Sequence, residues 1–255
     1  MGKNKLKKFA EMETFHNVFQ CGAREMVENS EITAMAGHWR ELYFKNNNPI
    51  VLELGCGRGE YTVGLAERDP NKNYIGIDIK GARMWAGAKQ AELAGMTNVA
   101  FLRTNIEMLC HFFASDEVDE IWITFPDPQM KKATKRLTST YFMERYRQVL
   151  RPEGLIHLKT DSPFLYAYTD AMVKENNYPI VVNTNNLYEA EPSVKIEEAR
   201  CLQTHYEKQW LDRGLTIKYI AWKLPAVLTL IEPEIEIEKD TYRSYGRNYV
   251  SSTNN

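Results

Sequence analysis

The segment ELGCGRG, residues 53–59, decides the fold of this chain. Its three glycines, spaced G-x-G-x-G, directly follow the predicted strand Ile50–Leu54. Glycine lets a backbone turn tightly and approach a ligand closely, so the spacing is typical of a ligand-binding turn, although a plain strand-to-helix turn uses the same residues. A dinucleotide-binding fingerprint runs G-x-G-x-x-G and normally has no acid at the strand end, where this chain has Glu53.

Short apolar runs alternate with helix-like segments along the rest of the chain. Seven runs predict strands, at residues 50–54, 74–77, 99–102, 120–125, 155–158, 180–183 and 216–224. Helical spacing predicts helices over residues 82–94, 139–150 and 195–211. This alternation predicts an α/β fold with a mostly parallel, doubly wound sheet and an antiparallel C-terminal strand. Ligands are then expected beyond the carboxyl ends of the strands.

Composition limits the class of protein. The chain has 255 residues, which fits one α/β domain with a short arm. Its formal net charge is -2, so a nucleic-acid site has to come from local clustering of cations. The cysteines form no C-x-x-C pair, which predicts neither a metal site nor disulfides and fits the cytoplasm. No run of 18 apolar residues is present, so no membrane span is expected.

Residues 1–30 differ in character from the remainder, residues 31–255, which are predicted to form a single domain. The arm carries basic residues followed by interleaved aromatics: Lys3, Lys5, Lys7, Lys8, Phe9, Phe15 and Phe19. This pattern predicts a partly flexible basic arm. A solubilising tail and an RNA contact are equally compatible with it.

Polar side chains follow the first three predicted strands in turn. Glu53 ends the first strand, Asp78 ends the second and Asn105 follows the third. The carboxylate of Glu53 suits a cationic ammonium or sulfonium. The carboxylate of Asp78 can accept hydrogen bonds from ribose hydroxyls, and the amide of Asn105 can pair with an adenine edge. Each residue alone also fits a salt bridge, a turn or a cap. Their order favours a pocket for S-adenosylmethionine.

The loop after the fourth predicted strand has the sequence FPDP, residues 125–128. Proline cannot continue a sheet ladder, so the chain turns here and exposes Asp127. A group of cations follows: Lys131, Lys132, Lys135 and Arg136. A carboxylate beside such cations is typical of a site that faces a polyanion, with the cations on phosphates and the acid on a base edge. A rigid turn with a solvated loop is the alternative interpretation.

Two further motifs complete the pattern, KTD at residues 159–161 and THYE at residues 204–207. With ELGCGRG, Asp78, Asn105 and FPDP, they resemble the bacterial tRNA (guanine-N7)-methyltransferases over most of the chain. The resemblance implies a class I S-adenosylmethionine-dependent methyltransferase fold, tRNA as the partner, and S-adenosylhomocysteine as the product without any metal. It also implies methylation of a guanosine in the variable loop of tRNA.

The resemblance assigns roles to individual residues. Those implied for the cofactor are Glu53, Gly55, Gly57, Asp78, Asn105 and Asp127. Those implied for the substrate guanosine are Lys131, Asp161, Thr204, His205, Tyr206 and Glu207. Lys132, Lys135 and Arg136 are expected to contact RNA. The family usually has a Trp and a longer basic loop after its PDP motif, where this chain has Gln129 and Met130.

Guanine N7 has a lone pair and no proton, so positioning and stabilisation of positive charge are expected to carry catalysis. Asp127 is the predicted catalytic residue, with Asp161 in support. An amino-group methyltransferase normally has [DN]-P-P-[YF], and a cytosine-C5 enzyme needs a nucleophilic cysteine for which Cys56 is badly placed. A small-molecule methyltransferase and a non-catalytic RNA-binding scaffold remain as alternatives.

Overall fold

The computed structural model describes residues 3–21, 32–226 and 229–241. Among these residues, eight strands form one sheet: β1 Val18–Gln20, β2 Ile50–Leu54, β3 Asn73–Ile77, β4 Val99–Arg103, β5 Val118–Thr124, β6 Leu150–Thr160, β7 Ile180–Thr184 and β8 Lys218–Leu224. The α-helices described are α1 Lys3–Met12, α2 Glu60–Arg68, α3 Gly81–Leu93, α4 Thr140–Val149, α5 Pro163–Glu175, α6 Val194–Arg200 and α7 His205–Leu211.

The sheet has the strand order β1-β4-β3-β2-β5-β6-β8-β7. Strands β1 to β6 pair in parallel, whereas β8 runs antiparallel to both β6 and β7. The predicted doubly wound sheet with an antiparallel C-terminal end is confirmed. The order reverses at β2, which has β3 on one side and β5 on the other, and open α/β sheets bind ligands at such a switch point.

Helices cover both faces of the sheet and bury its strands. One apolar layer includes Tyr146 of α4 and Leu165 of α5, and the other includes Val63 of α2 and Met84 of α3. Strands β2 and β3 are buried at every position, which explains their mostly apolar sequence and leaves Glu53 and Asn73 as buried polar residues. Within the described ranges, no helix has the length and apolar character that crossing a membrane requires.

The N-terminal residues of the expected arm pack on the domain. Residues 3–12 form α1, and β1 pairs with β4 at the edge of the sheet. Met12 has no exposed surface, so this part of the arm is anchored rather than free. Residues 22–31 lie outside the described part of the chain, and the domain boundary near residue 30 stays a prediction.

The single helix predicted over residues 195–211 is wrong, because the segment forms α6 and α7. Thr204 starts α7 with a capping box, in which its side chain accepts from the backbone of Glu207 and the Glu207 side chain accepts from the backbone of Thr204. Such a cap satisfies the first N–H groups of a new helix. The apolar spacing continues across the break, so periodicity alone concealed it.

Candidate active site

A cleft of about 550 Å³ opens at the carboxyl ends of β2, β3, β5 and β6. Four of the predicted site carboxylates line it: Glu53, Asp78, Asp127 and Asp161. These residues are distant in sequence, and the parallel strands bring them to one edge of the sheet. The cleft is therefore the place where the sequence motifs meet.

The glycine loop between β2 and α2 has a left-handed backbone. Gly55, Gly57 and Gly59 have φ angles of 79°, 55° and 74°. The Gly55 N–H donates to the carbonyl of Ile77 at 2.8 Å, which ties the loop to β3. A Cβ atom at Gly59 would lie 2.6 Å from the Phe101 ring, so this position has room for glycine alone.

Glu53 is buried at the end of β2 and is only 4% exposed. Its carboxylate accepts a hydrogen bond from the Thr62 N–H at 2.8 Å and another from the Thr124 hydroxyl at 2.7 Å. Burial raises the pKa of Glu53 to about 7, and the hydrogen bonds from Thr62 and Thr124 oppose that shift. A cation bound nearby would favour the ionised form of this carboxylate and so offset the effect of burial. The Glu53 side chain therefore suits a positively charged ligand.

Asp78 holds the glycine loop from the end of β3. Its two carboxylate oxygens accept the Gly57 N–H at 2.9 Å and the Lys80 N–H at 2.7 Å. Each oxygen has a second lone pair, so the partly buried Asp78 can still accept from two ligand hydroxyls. Asn105 lines an adjoining cavity of about 240 Å³ that shares Asp78 with the cleft. With Glu53, these side chains form a set of polar and acidic groups that fits a cationic nucleoside.

Asp127 is exposed on the turn after β5 and accepts the Gln129 N–H at 3.0 Å. Two residues of this turn, Phe125 and Gln129, are not glycine but have a left-handed backbone conformation, each with a φ of 47°. Such a conformation costs on the order of 1–3 kcal/mol and persists only where its surroundings hold it. The Phe125 N–H donates to the Lys159 carbonyl of β6 at 2.8 Å. This tie fixes the turn that presents Asp127.

The predicted basic loop contains cations in two different environments. Lys131 and Lys132 are exposed, and Lys135 is half exposed, lines the cleft and pairs with Glu107 at 2.6 Å. Arg136, in contrast, is only 9% exposed. Arg136 was expected to contact RNA, but the structure places its side chain inside the loop and not on the surface.

The buried position of Arg136 has a packing reason. Its guanidinium lies 4.8 Å from the Phe164 ring centroid and 4.3 Å from that of Tyr168. It also donates to the carbonyls of Gln129 and Met130 at 3.3 and 3.5 Å. Arginine stacks on aromatic faces in this way, so Arg136 anchors the loop that starts at Gln129.

Helix α7 supplies part of the cleft wall through Thr204, Tyr206 and Trp210. Tyr206 is 45% exposed. The side chain of His205 is exposed, and its backbone N–H donates to the Glu60 carboxylate at 2.8 Å. Contacts of Thr204, His205 and Tyr206 with a guanosine stay predictions.

Glu207 has no exposed surface, although it was expected to face the substrate. Its carboxylate accepts from the Lys159 ammonium at 2.8 Å and from the Tyr188 hydroxyl at 2.7 Å. Lys159 is equally buried and also donates to the carbonyls of Ala199 and Leu202 at 2.6 and 2.8 Å. The structure therefore places Glu207 in an internal ion pair that ties α7 and the turn before it to β6.

Asp161 borders the cleft from below and has no exposed surface. Its carbonyl accepts from the Lys218 ammonium at 3.1 Å. Ser162 next to it caps α5, since its hydroxyl accepts the Leu165 N–H at 2.9 Å, as the Ser-Pro sequence indicates. Asp161 thus lies at the floor of the site, and its contact with substrate stays a prediction.

Cys56 in the glycine loop is buried, and burial raises the pKa of its thiol, with the charges of Glu53 and Asp78 adding to the shift. A thiol in this state is a poor nucleophile. In the described residues, no group of three or more His, Cys, Asp or Glu is arranged to hold a metal ion.

Sequence reasoning missed several side chains of the site. Thr62 and Thr124 hold Glu53, and their signal was a hydroxyl in the first turn after the loop and at the end of β5. Trp210 lines the cleft one helical turn after Tyr206, a spacing that places both on one face of α7. Other lining cations were also unassigned: Arg58, Lys80 and Arg83.

Comparison with known proteins agrees with this geometry. A family model described as a putative methyltransferase matches residues 47–220. The tRNA (guanine-N(7)-)-methyltransferase of Bacteroides fragilis (strain YCH46) is 58% identical over 247 residues, which cover 97% of this chain and 96% of that protein. The protein of the same name from Porphyromonas gingivalis (strain ATCC BAA-308 / W83) is 57% identical over 237 residues, covering 92% and 96%.

Solved structures resemble the fold at much lower sequence identity. The 16S rRNA methyltransferase KamB has a TM-score of 0.55 and 17% identity, and the match covers 72% of this chain and 92% of that chain. The sheet is accordingly that of a class I methyltransferase. Because the family model covers most of the chain and the relatives match over nearly their whole length, this chain belongs to the tRNA (guanine-N(7)-)-methyltransferase family.

Proposed function

We propose that this enzyme transfers a methyl group from S-adenosylmethionine to N7 of a guanosine in tRNA. One observation of the structure carries the proposal. Glu53 and Asp78, which suit a cationic nucleoside, line the same cleft as the exposed Asp127, and an exposed lysine loop follows that residue. The relatives' names give the substrate class, and the variable loop of tRNA as the target follows from the family resemblance alone.

The cofactor end of the cleft comprises the glycine loop and its two acidic neighbours. S-adenosylmethionine, when bound, supplies a methyl group on a positively charged sulfonium. Asp78 would hold ribose hydroxyls with its spare lone pairs, and Asn105 would hold the adenine edge. Glu53 would be the buried negative charge that favours a cation, and the glycine loop would allow close approach of backbone to ligand.

The guanine end of the cleft requires no general base, because N7 has a lone pair and no proton. The task of the chain is to hold N7 and the methyl carbon about 3–3.5 Å apart. Positive charge develops on the purine ring during transfer, and the carboxylate of Asp127 would stabilise it. Asp161 would support the ring from the floor of the cleft. We expect no metal to be required, since N7 needs no activation.

The exposed Lys131 and Lys132 would bind phosphates and orient the tRNA. Lys135 is partly engaged by Glu107, so its contact with RNA would compete with that ion pair. The cytoplasmic location expected from the cysteines stays a prediction.

The test is to incubate the protein with labelled S-adenosylmethionine and an unmodified tRNA transcript, and then to separate the nucleosides. We expect label in 7-methylguanosine. A matched transcript made with 7-deazaguanosine lacks the N7 atom and should receive no label. Label in a different nucleoside, or equal label in both transcripts, would refute the proposal.

A further inference from the structure

Helix α1 carries exposed lysines on the outside of the domain. Lys5 and Lys7 are exposed, and Lys8 lies with its ammonium 4.4 Å from the Trp85 ring centroid on α3. None of the three forms an ion pair with a carboxylate of the described residues. Lys89 shows the contrast, since it pairs with Glu11 at 2.5 Å. These three lysines are therefore available to bind an anionic partner.

Aromatic and apolar contacts dock α1 in a fixed position. Phe9 packs against the start of α3 so closely that a Cβ atom at Gly81 would lie 2.7 Å from its ring. Met12 has no exposed surface, and the Trp85 indole N–H donates to Glu11 at 2.8 Å. A lysine-bearing tail that only served solubility would not need these contacts.

The docked helix is continuous with the rim of the cleft. The Phe9 ring has the Arg103 guanidinium 4.6 Å from its centroid and the Lys5 ammonium at 5.9 Å. Arg103 donates to the carbonyl of Ile79 at 3.4 Å, and Ile79 and Lys80 line the cleft. Cationic side chains therefore extend from α1, through Arg103, to the mouth of the site.

Two carboxylates beside this charge already accept hydrogen bonds from other groups. Glu11 accepts from Lys89 and Trp85, and Asp78 accepts two backbone N–H groups. Clustered like charges repel one another in the free protein, and binding of a polyanion relieves that repulsion. A nucleic-acid backbone is the partner that such a stripe fits.

We propose that α1, the start of α3 and the end of β4 form a second tRNA-binding surface, which we name the α1 surface: Lys5, Lys7, Lys8, Lys80, Arg83 and Arg103. It would bind phosphates of the tRNA at a distance from the target guanosine and so fix how the molecule enters the cleft. The inference rests on the proposed function for the identity of the RNA, but its test is a binding measurement.

The experiment compares two double variants with the same change in charge. Lys5→Ala/Lys7→Ala removes two exposed cations of the α1 surface. Lys174→Ala/Lys223→Ala removes two exposed cations elsewhere, in the last turn of α5 and opposite Leu155 of β6. The affinity for a tRNA transcript is measured by fluorescence anisotropy over a series of salt concentrations, and the affinity for S-adenosylhomocysteine is measured by calorimetry.

We expect the α1 variant to bind tRNA about tenfold more weakly, with a salt dependence reduced by roughly 0.7–0.9 per lost phosphate contact. Its affinity for S-adenosylhomocysteine should equal that of the wild type, and the control variant should bind tRNA normally. Wild-type tRNA affinity and salt slope in the α1 variant would overturn the inference. Weakened binding in this variant supports it even if the wild-type protein is found to methylate a different nucleoside, so the two proposals fail separately.

Discussion

The two ends of the cleft differ in how their side chains are held. At the cofactor end, Glu53 accepts from two threonines and Asp78 accepts from two backbone N–H groups. At the substrate end, Asp127 is exposed with one backbone partner, and Lys131 is exposed on its loop. The cofactor end is thus a formed pocket for a small ligand, and the substrate end is open to a large one.

This difference also separates structural residues from contact residues among those that the sequence grouped together. Glu207 and Arg136 were expected at the substrate end, yet both are buried and tied to neighbouring elements. Substitution of such a held side chain should change the stability of the fold, whereas substitution of an open one should change only binding or turnover. The predictions that follow test this separation.

The largest effect is expected for the buried ion pair. Lys159→Met leaves the Glu207 carboxylate buried without its cation, which should lower the free energy of unfolding by about 3–5 kcal/mol. The matched control is Lys135→Met, because Lys135 pairs with Glu107 at 2.6 Å but its side chain is 52% exposed. An exposed pair is worth about 0–1 kcal/mol. Urea unfolding curves give the free energy of unfolding of both variants. Equal losses of stability would show that the buried and the exposed ion pair do not differ.

The second effect concerns the buried Glu53. Its folded-state pKa of about 7 lies above the ordinary value of 4.5, so the folded chain holds the proton longer than the unfolded chain. Its contribution to stability is therefore fully present below pH 4.5 and is lost as the pH rises to about 7. Glu53→Gln removes this loss and should be more stable than the wild type at pH 8, by on the order of 3 kcal/mol.

The same substitution should weaken binding of S-adenosylmethionine, because the negative charge is gone. Thermal unfolding at pH 5 and pH 8 and cofactor titration together check the prediction. A variant that loses stability at pH 8 and binds the cofactor normally would show that Glu53 is held for structure alone.

The third effect separates backbone strain from packing in the glycine loop. Gly59→Ala places a side chain at a φ of 74° and against the Phe101 ring, which should cost about 2–3 kcal/mol. Gly95→Ala is the control, since Gly95 has a φ of 62° and nothing within 4 Å of the added atom. It should cost about 1 kcal/mol. Chemical denaturation of the two variants distinguishes the cost of backbone strain from the cost of the clash with Phe101. Equal losses of stability would mean that the Phe101 ring moves aside to accommodate the added methyl group.

The smallest effect is expected at the open end. Lys131→Ala/Lys132→Ala should leave stability unchanged and weaken tRNA binding a few-fold, with a shallower salt dependence. Anisotropy titrations against salt measure this. A marked fall in melting temperature would place these lysines among the held residues instead.

The fold was largely predictable from sequence, because β2, β3 and β4 are short, mostly apolar runs between turn signals. The break between α6 and α7 was not, since Thr204 sits within continuous helical spacing and reveals itself as a cap only together with Glu207. The docking of α1 was also missed, because it depends on the fit of Phe9 against Gly81, two residues far apart in sequence.

The location of the site was predictable for a physical reason: parallel strands align their carboxyl ends, so Glu53, Asp78 and Asp127 had to meet. The burial of individual polar groups was not predictable. A glutamate within THYE has the same sequence signature whether it faces a base or accepts from the ammonium of Lys159. Only the packing of β6 against the turn before α7 decides between these outcomes.

The most direct measurement is the turnover of Asp127→Asn on a tRNA transcript, together with its affinity for S-adenosylhomocysteine. Asp116→Asn is the control, because Asp116 is exposed and left-handed, with φ of 61°. We predict that Asp127→Asn turns over roughly 100- to 1000-fold more slowly and binds S-adenosylhomocysteine within about twofold of the wild type. Turnover close to that of the wild type would contradict the claim that the open carboxylate acts on the transferred charge.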